Sequence, residues 1–239
     1  MRRLKWILVL PVLALVLALG GPWTYINVLR GDAPARLTLR GNVDDHIPAT
    51  SATTAAGAAA DAPASFDGTW LARAGSQAGY RVKEVLFGQS AEAVGRTSNV
   101  DGALTISGTT IETAAISIDL ASVTSDDSRR DNQFRGRIMD VARYPTATFM
   151  LTSPIELGSL PADGATVTVP ATGDLTVRGV KKPVTVDVTA QRSGGTISVN
   201  GTIPVVFADY GIPDPSFGPA SVEDHGEIEF LVTFTKSAS

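Results

Sequence analysis

Gly173-Asp-Leu-Thr-Val-Arg-Gly-Val-Lys-Lys-Pro-Val-Thr-Val-Asp-Val-Thr-Ala190 holds two runs of strict apolar/polar alternation joined by a short basic turn. On the first arm Leu175 and Val177 share one face, while Asp174, Thr176 and Arg178 share the other. On the second, Val184, Val186 and Val188 oppose Thr185, Asp187 and Thr189. A period of two is that of a strand with one dry face, so the stretch reads as an antiparallel hairpin. Gly179 supplies the positive φ that a tight turn requires. Pro183 has no N–H for a ladder, and its place is predicted at the start of the second strand.

The same pattern extends outward from this hairpin. Strands are predicted over 69–73, 80–87, 91–97, 103–107, 110–121, 147–155, 166–177, 184–191, 196–207 and 227–235. Several show a clean apolar face, as in Ala114, Ile116, Ile118 and Leu120, or Ile228, Phe230, Val232 and Phe234. Short alternating strands with turn residues between them predict an all-β fold, and closure into an antiparallel β-barrel hides the edges. One segment departs from the pattern: after Ser125-Asp126-Asp127-Ser128, apolar Phe134, Ile138 and Val141 recur at helical spacing. It predicts one short helix over 129–142, capped by Asp or Ser and stopped at Tyr144-Pro145.

The chain has 239 residues, 44% of them hydrophobic, which suits one main core with appendages. A net charge of -4 without a basic block argues against nucleic acid as a partner. The absence of cysteine excludes disulfides, thiol catalysis and zinc-thiolate sites. At the N-terminus Arg2, Arg3 and Lys5 precede the apolar run from Trp6, which ends among Trp23 and Tyr25. Residues 1–30 are therefore expected to form a signal-anchor, a single transmembrane helix with a cytoplasmic N-terminus. Small residues around Ala18-Leu19-Gly20 leave open a cleaved signal and a secreted product. The expected location is the cell membrane, with the barrel extracytoplasmic. Residues 31–65 read as a flexible linker, because nine of the seventeen residues from Ala49 to Ser65 are Ala amid Thr, Ser, Gly and Pro. The folded domain is then 66–239.

Within that domain the residues resemble the YceI-like family of lipocalin-like, polyisoprenoid-binding proteins. The resemblance runs through Gly68-Thr69-Trp70, Gly79-Tyr80-Arg81-Val82, Arg130-Asp131, Arg143 to Phe149, Gly173 to Val180 and Ile228-Glu229-Phe230. It implies a lipocalin-like antiparallel barrel with an elongated apolar cavity for an isoprenoid lipid, such as a quinone or a polyprenyl lipid. Many members carry a His after the aromatic-x-Val-Arg pattern of the first long strand, where this chain has Lys83-Glu84.

Small inward positions hollow a barrel, and Ala114, Ala171 and Gly173 are expected to leave such room. A flattened barrel in which they pack together is the alternative. Bulk and facing make Tyr80, Val82, Ile116, Ile118, Phe134, Phe149, Val169, Leu175, Val186, Phe207 and Phe230 the candidate ligand-binding residues. On the helix, Arg129, Arg130, Arg135 and Arg137 read as a solvated face, with Asp127 and Asp131 pairing with Arg135, or as one guanidinium at the cavity mouth.

No catalytic or metal residues are assigned and no cofactor is expected beyond the bound isoprenoid lipid or quinone. The two histidines are His46 in the linker and His225, which reads as a solvated loop residue beside Glu223 and Asp224. The Pro/Gly-rich stretch 209–219, with Tyr210 and Phe217, reads as a rigid loop or a lid. The expected function is non-catalytic lipid binding, against an enzyme or accessory factor acting on such lipids, or a ligand-free envelope scaffold. Expected partners are the isoprenoid lipid and the membrane, through the N-terminal helix, with a homodimer left open.

Overall fold

In the computed structural model, which describes residues 33–39, 66–218 and 220–237, the opening hairpin is β8 (Thr166–Val177) turning into β9 (Val180–Ser193). The two pair in one unbroken antiparallel register from Val177↔Val180 to Thr166↔Gln191. Arg178 at φ 51° and Gly179 at φ 76° form the two-residue turn, whose backbone twist matches that of the flanking strands. Gly179 is required twice over, because a Cβ there would lie 2.5 Å from Cε1 of Tyr144. The second strand begins four residues earlier than expected, so Pro183 lies inside it, opposite Asp174. In a hairpin closed by Val177 and Val180, Asp174 and Pro183 are a non-hydrogen-bonded pair. The Pro183 nitrogen therefore faces the other edge, where β10 pairs with β9 from Val188 onward, and the missing donor costs nothing.

The other strands are β1 (Gly68–Ala72), β2 (Gln77–Leu86), β3 (Gln89–Thr97), β4 (Val100–Ser107), β5 (Thr110–Asp119), β6 (Thr146–Leu151), β7 (Ile155–Glu156), β10 (Thr196–Val206), β11 (Ala220–Val222) and β12 (His225–Lys236). Eight close a ring in the order β1-β4-β5-β6-β8-β9-β10-β12, with β12 returning to β1 through Trp70↔Lys236 to Ala72↔Phe234. This is the all-β antiparallel barrel that the alternation predicts. β12 serves two neighbours in turn: β1 along its last residues and β2 along Glu227 to Leu231. The β2–β3 hairpin consequently continues the wall at one end of the barrel and then runs past it.

The helix α1 (Ser128–Gln133) starts where expected, with the Asp127 side chain accepting from the Arg129 N–H at 2.7 Å. It is shorter than the spacing suggests. After Gln133 it widens into a π turn, Phe134–Ile138, in which the Met139 N–H reaches back to the Phe134 carbonyl, and Asp140 at φ 48° ends it before Tyr144-Pro145. Instead of pairing with Arg135, Asp131 accepts from the Ser125 N–H and hydroxyl at 2.9 and 2.6 Å. Arg135 donates to the Val123 carbonyl and to Asn132.

Two apolar clusters divide the interior. One, built on Trp70, Val100, Leu104, Ile106, Val232 and Phe234, fills the end near β1. Trp70 is fully buried there, stacked on Phe66, with its indole N–H on the Phe66 carbonyl at 2.9 Å. The other cluster surrounds Leu120, Phe134, Leu175, Val186 and Tyr210 toward α1.

On the outer wall, residues 33–39 lie against β2, β3, β10 and β12. The Arg81 and Arg96 guanidinium groups donate to the carbonyls of Pro34 and Ala35, Asn200 donates to that of Leu37, and Arg36 pairs with Glu227. This stretch of the expected flexible linker is docked on the barrel. The rest of the linker and the expected transmembrane segment 1–30 lie outside the described residues. Among the described residues no helix is long and apolar enough to cross a membrane.

Candidate functional site

A cavity of about 1080 Å³ opens at the α1 end of the barrel. Its apolar wall includes Tyr80 and Val82 of β2, Ile118 of β5, Phe134 of the π turn, and Phe207 and Ile212 of the loop after β10. Register explains why β2 contributes: Tyr80 lies opposite Ile228, so Tyr80, Val82, Glu84 and Leu86 all share the inward face of β12. The Tyr80 ring stacks on Phe134 with centroids 5.0 Å apart. It does so over Gly95, where a Cβ would lie 2.4 Å from Tyr80 Cε1. Burial raises the Tyr80 phenol to about 12, despite the Arg130 charge and a hydrogen bond with Ser125, which both favour ionisation.

One edge of the cavity is polar. Glu84, buried on the inward face of β2, lies 3.5 Å from Nη2 of Arg130, whose Nη1 pairs with Asp126 and approaches the Ser125 hydroxyl at 3.4 Å. Of the helix arginines, Arg129 and Arg130 belong to the cavity wall, whereas Arg137 donates to the carbonyls of Asp214 and Pro215 at 2.6 and 3.2 Å. That contact holds the Pro/Gly-rich loop to the π turn, and Pro215 and Phe217 line the cavity. From the other side Arg178 donates to the Gly211 carbonyl at 2.6 Å and Lys182 pairs with Asp209 at 2.7 Å. The basic turn of the opening hairpin is thus an anchor for this loop, and Tyr210 is buried in the core; Phe217 is exposed.

Five of the eleven candidate residues meet at the cavity: Tyr80, Val82, Ile118, Phe134 and Phe207. The other six are elsewhere in the barrel. Leu175 and Val186 are buried in the second cluster, Phe149 packs against it, Ile116 packs against the Trp70 cluster, and Phe230 touches both. Val169 is half-buried on β8. The expectation that Ala171 and Gly173 leave room is corrected. A Cβ on Gly173 would meet the Phe149 ring at 2.5 Å, so the space beside it is filled by that ring, and Ala171 is buried core. Ala114 packs against the Trp70 cluster. Glu84, Leu86 and the turn residue Phe87 are cavity-wall residues that the candidate set lacks; the alternation of Tyr80, Val82, Glu84 and Leu86 is the signal that places Glu84 and Leu86 on the wall, and Phe87 lies in the turn, outside it.

His225 is exposed at the start of β12, its Nδ1 2.8 Å from Asp224 and its Nε2 3.3 Å from Glu223. The hydrogen bond with Asp224 raises its pKa. Among the described residues no group of three or more His, Cys, Asp or Glu is placed to hold a metal ion.

Known proteins share this fold and sequence pattern. The UPF0312 protein of Pseudomonas savastanoi pv. phaseolicola is 31% identical over 139 residues, 54% of this chain and 68% of that protein. The UPF0312 protein of Pseudomonas putida strain GB-1 is 33% identical over 130 residues, 51% of this chain and 64% of that one. A solved polyisoprenoid-binding domain from Saccharophagus degradans, implicated in plant cell wall breakdown, superposes with a TM-score of 0.58 at 18% identity. It covers 71% of this chain and 98% of its own, a likeness that speaks for the fold. The YceI-like domain matches residues 70–234, well over half of the sequence. The chain belongs to the YceI-like family.

Proposed function

We propose that this protein binds an isoprenoid lipid, a quinone or a polyprenyl lipid, in the cavity at the α1 end and holds it without changing it. The observation that carries the reading is the cavity itself: at about 1080 Å³, it is just above the usual range for small-molecule sites, roughly 300–1,000 Å³. Its walls are apolar around Phe134 and Phe207, and Glu84 with Arg130 makes one edge of it polar. That distribution suits a long hydrocarbon with a polar head. Each buried methylene contributes about 0.8 kcal/mol, so a few isoprene units give tight binding without any reactive group. The Saccharophagus degradans neighbour is itself described as a polyisoprenoid-binding domain, which points the same way. An extracytoplasmic location, reached through an N-terminal anchor, is part of the proposal.

The test is to purify the full chain, wash it free of bulk lipid, extract it with organic solvent and identify what remains by mass spectrometry. A defined isoprenoid in near-stoichiometric amount is expected. An empty protein that also fails to take up isoprenoid quinones and polyprenyl phosphates in titration would overturn the reading.

A further inference from the structure

Along the inward face of β2, Tyr80, Val82 and Leu86 are interrupted by a carboxylate. Glu84 is 6% exposed, and a charge so placed is costly unless a counter-charge meets it. Arg130 is that counter-charge, its Nη2 3.5 Å from Oε1 of Glu84. The guanidinium is itself shared, because its Nη1 pairs with Asp126, another residue of the cavity wall. The less exposed of the two helix arginines on the wall thus already holds two carboxylates.

The remaining charges do not reverse the balance. Glu84, Asp126 and Asp127 stand against Arg129 and Arg130 on this edge, three carboxylates to two cations. Asp131 lies behind them, buried on the Ser125 hydroxyl at 2.6 Å. The Arg129 N–H at the start of α1 is taken by the Asp127 carboxylate at 2.7 Å. Arg81 and Glu227 also border the cavity, but they are cross-strand neighbours of β2 and β12. Their side chains are engaged on the outer wall, Arg81 with Glu92 and Glu229, and Glu227 with Arg36.

We infer that the cavity selects isoprenoids with an uncharged head, a quinone or a free alcohol, and disfavours polyprenyl phosphates, with Glu84 as the residue that sets the preference. The inference rests on the lipid-binding reading above and narrows it to one class of head group. A phosphate monoester carries about −1.5 to −2 charges near pH 7. It would enter beside a buried carboxylate, where salt screens like charges far less than at the surface. To be held by Arg130 it has to displace Glu84 or Asp126, and the displaced carboxylate then faces it as a like charge. An uncharged head meets neither cost. A carbonyl or hydroxyl oxygen accepts from the guanidinium, which carries five N–H donors, and a hydroxyl also donates to a carboxylate such as Glu84.

Three ligands with the same isoprenoid tail separate the head from the rest: geranylgeraniol, geranylgeranyl phosphate and a menaquinone bearing that tail. The delipidated full chain, kept in a non-ionic detergent, is offered the alcohol and the phosphate in equal amounts. The lipid retained after gel filtration is quantified by mass spectrometry, and the menaquinone is run against the phosphate in the same way. The native sequence is expected to retain the alcohol and the quinone over the phosphate by at least about tenfold, the scale of one poorly screened like charge. In Glu84→Gln the ratio should move several-fold toward the phosphate. Detergent partitioning is common to both proteins, so this shift reports the site. Should Glu84→Gln not fold, as judged by circular dichroism, Asp126→Asn, at the exposed partner of Arg130, is scored in its place. A native ratio near one or in favour of the phosphate, or a ratio that stays put in the folded variant, would overturn the head-group preference and keep the lipid cargo. Retention of none of the three ligands would overturn the cargo reading and the preference with it.

Discussion

Tyr80 shows how one side chain links the wall of the barrel to the chemistry of its mouth. Its ring is fixed between Phe134 and the recess at Gly95, and its hydroxyl lies near the polar edge. Because burial disfavours the phenolate, the folded protein holds this proton more tightly than the unfolded chain, which releases it near 10.0. A pKa raised on folding gives stability that is fully present below about 10 and lost as the pH rises toward about 12. Absorbance titration of the phenols is expected to show a last step near 12 that Tyr80→Phe removes. The same substitution should flatten the loss of stability over that window in urea unfolding. A last step that survives in Tyr80→Phe would show that another phenol carries it. Below pH 10 the Tyr80 hydroxyl is then neutral.

At the scale of elements, the outer wall of β2, β3 and β12 is held by charge where a barrel exterior would ordinarily be solvated. Glu229, 1% exposed, receives Arg96 at 2.7 Å and Arg81 at 3.5 Å; Arg81, 4% exposed, also donates to Glu92 at 2.6 Å. Segment 33–39 covers this ladder with its own carbonyls. Removing one partner of a buried ionic network typically costs about 3–5 kcal/mol, because the remaining charge stays desolvated. Arg81→Ala is expected to lose stability on that scale in urea unfolding, while Arg36→Ala, which breaks a half-exposed pair, loses about 1 kcal/mol or less. Equal losses would mean that the ladder does not hold the wall. The alternation locates the strands and their dry faces, because period two is a local property; it is silent on the ladder, since Arg81, Glu229 and Arg96 are far apart in sequence and are brought together by register alone. For the same reason the hairpin β8–β9 is legible almost whole in its residues, and β11, three residues long and paired with the end of β2, is not. The helix is anticipated by its cap and three apolar residues, but its π turn, from which Phe134 stacks on Tyr80, is not.

Across the whole molecule, the barrel is filled about Trp70 and hollow beside α1, and within the α1 end small inward residues have opposite meanings. Ala171 is surrounded by core, and the recess beside Gly173 belongs to Phe149. Ala93, equally buried, faces the cavity from β3 opposite Val82. Sequence alone does not tell these alanines apart, since both lie at inward positions of alternating strands; the difference is made by what the far wall places across from them. Adding volume should separate them. Ala171→Leu forces extra methylenes into a packed core and is expected to cost about 1–3 kcal/mol, with the lipid content per folded molecule unchanged. Ala93→Phe has the cavity to expand into, so the unfolding midpoint should move little while the lipid recovered by solvent extraction falls. If Ala93→Phe carried its full complement of lipid, or Ala171→Leu emptied the barrel while remaining folded, the ligand would have to be placed along the β8–β9 wall instead of beneath the β2–β3 hairpin.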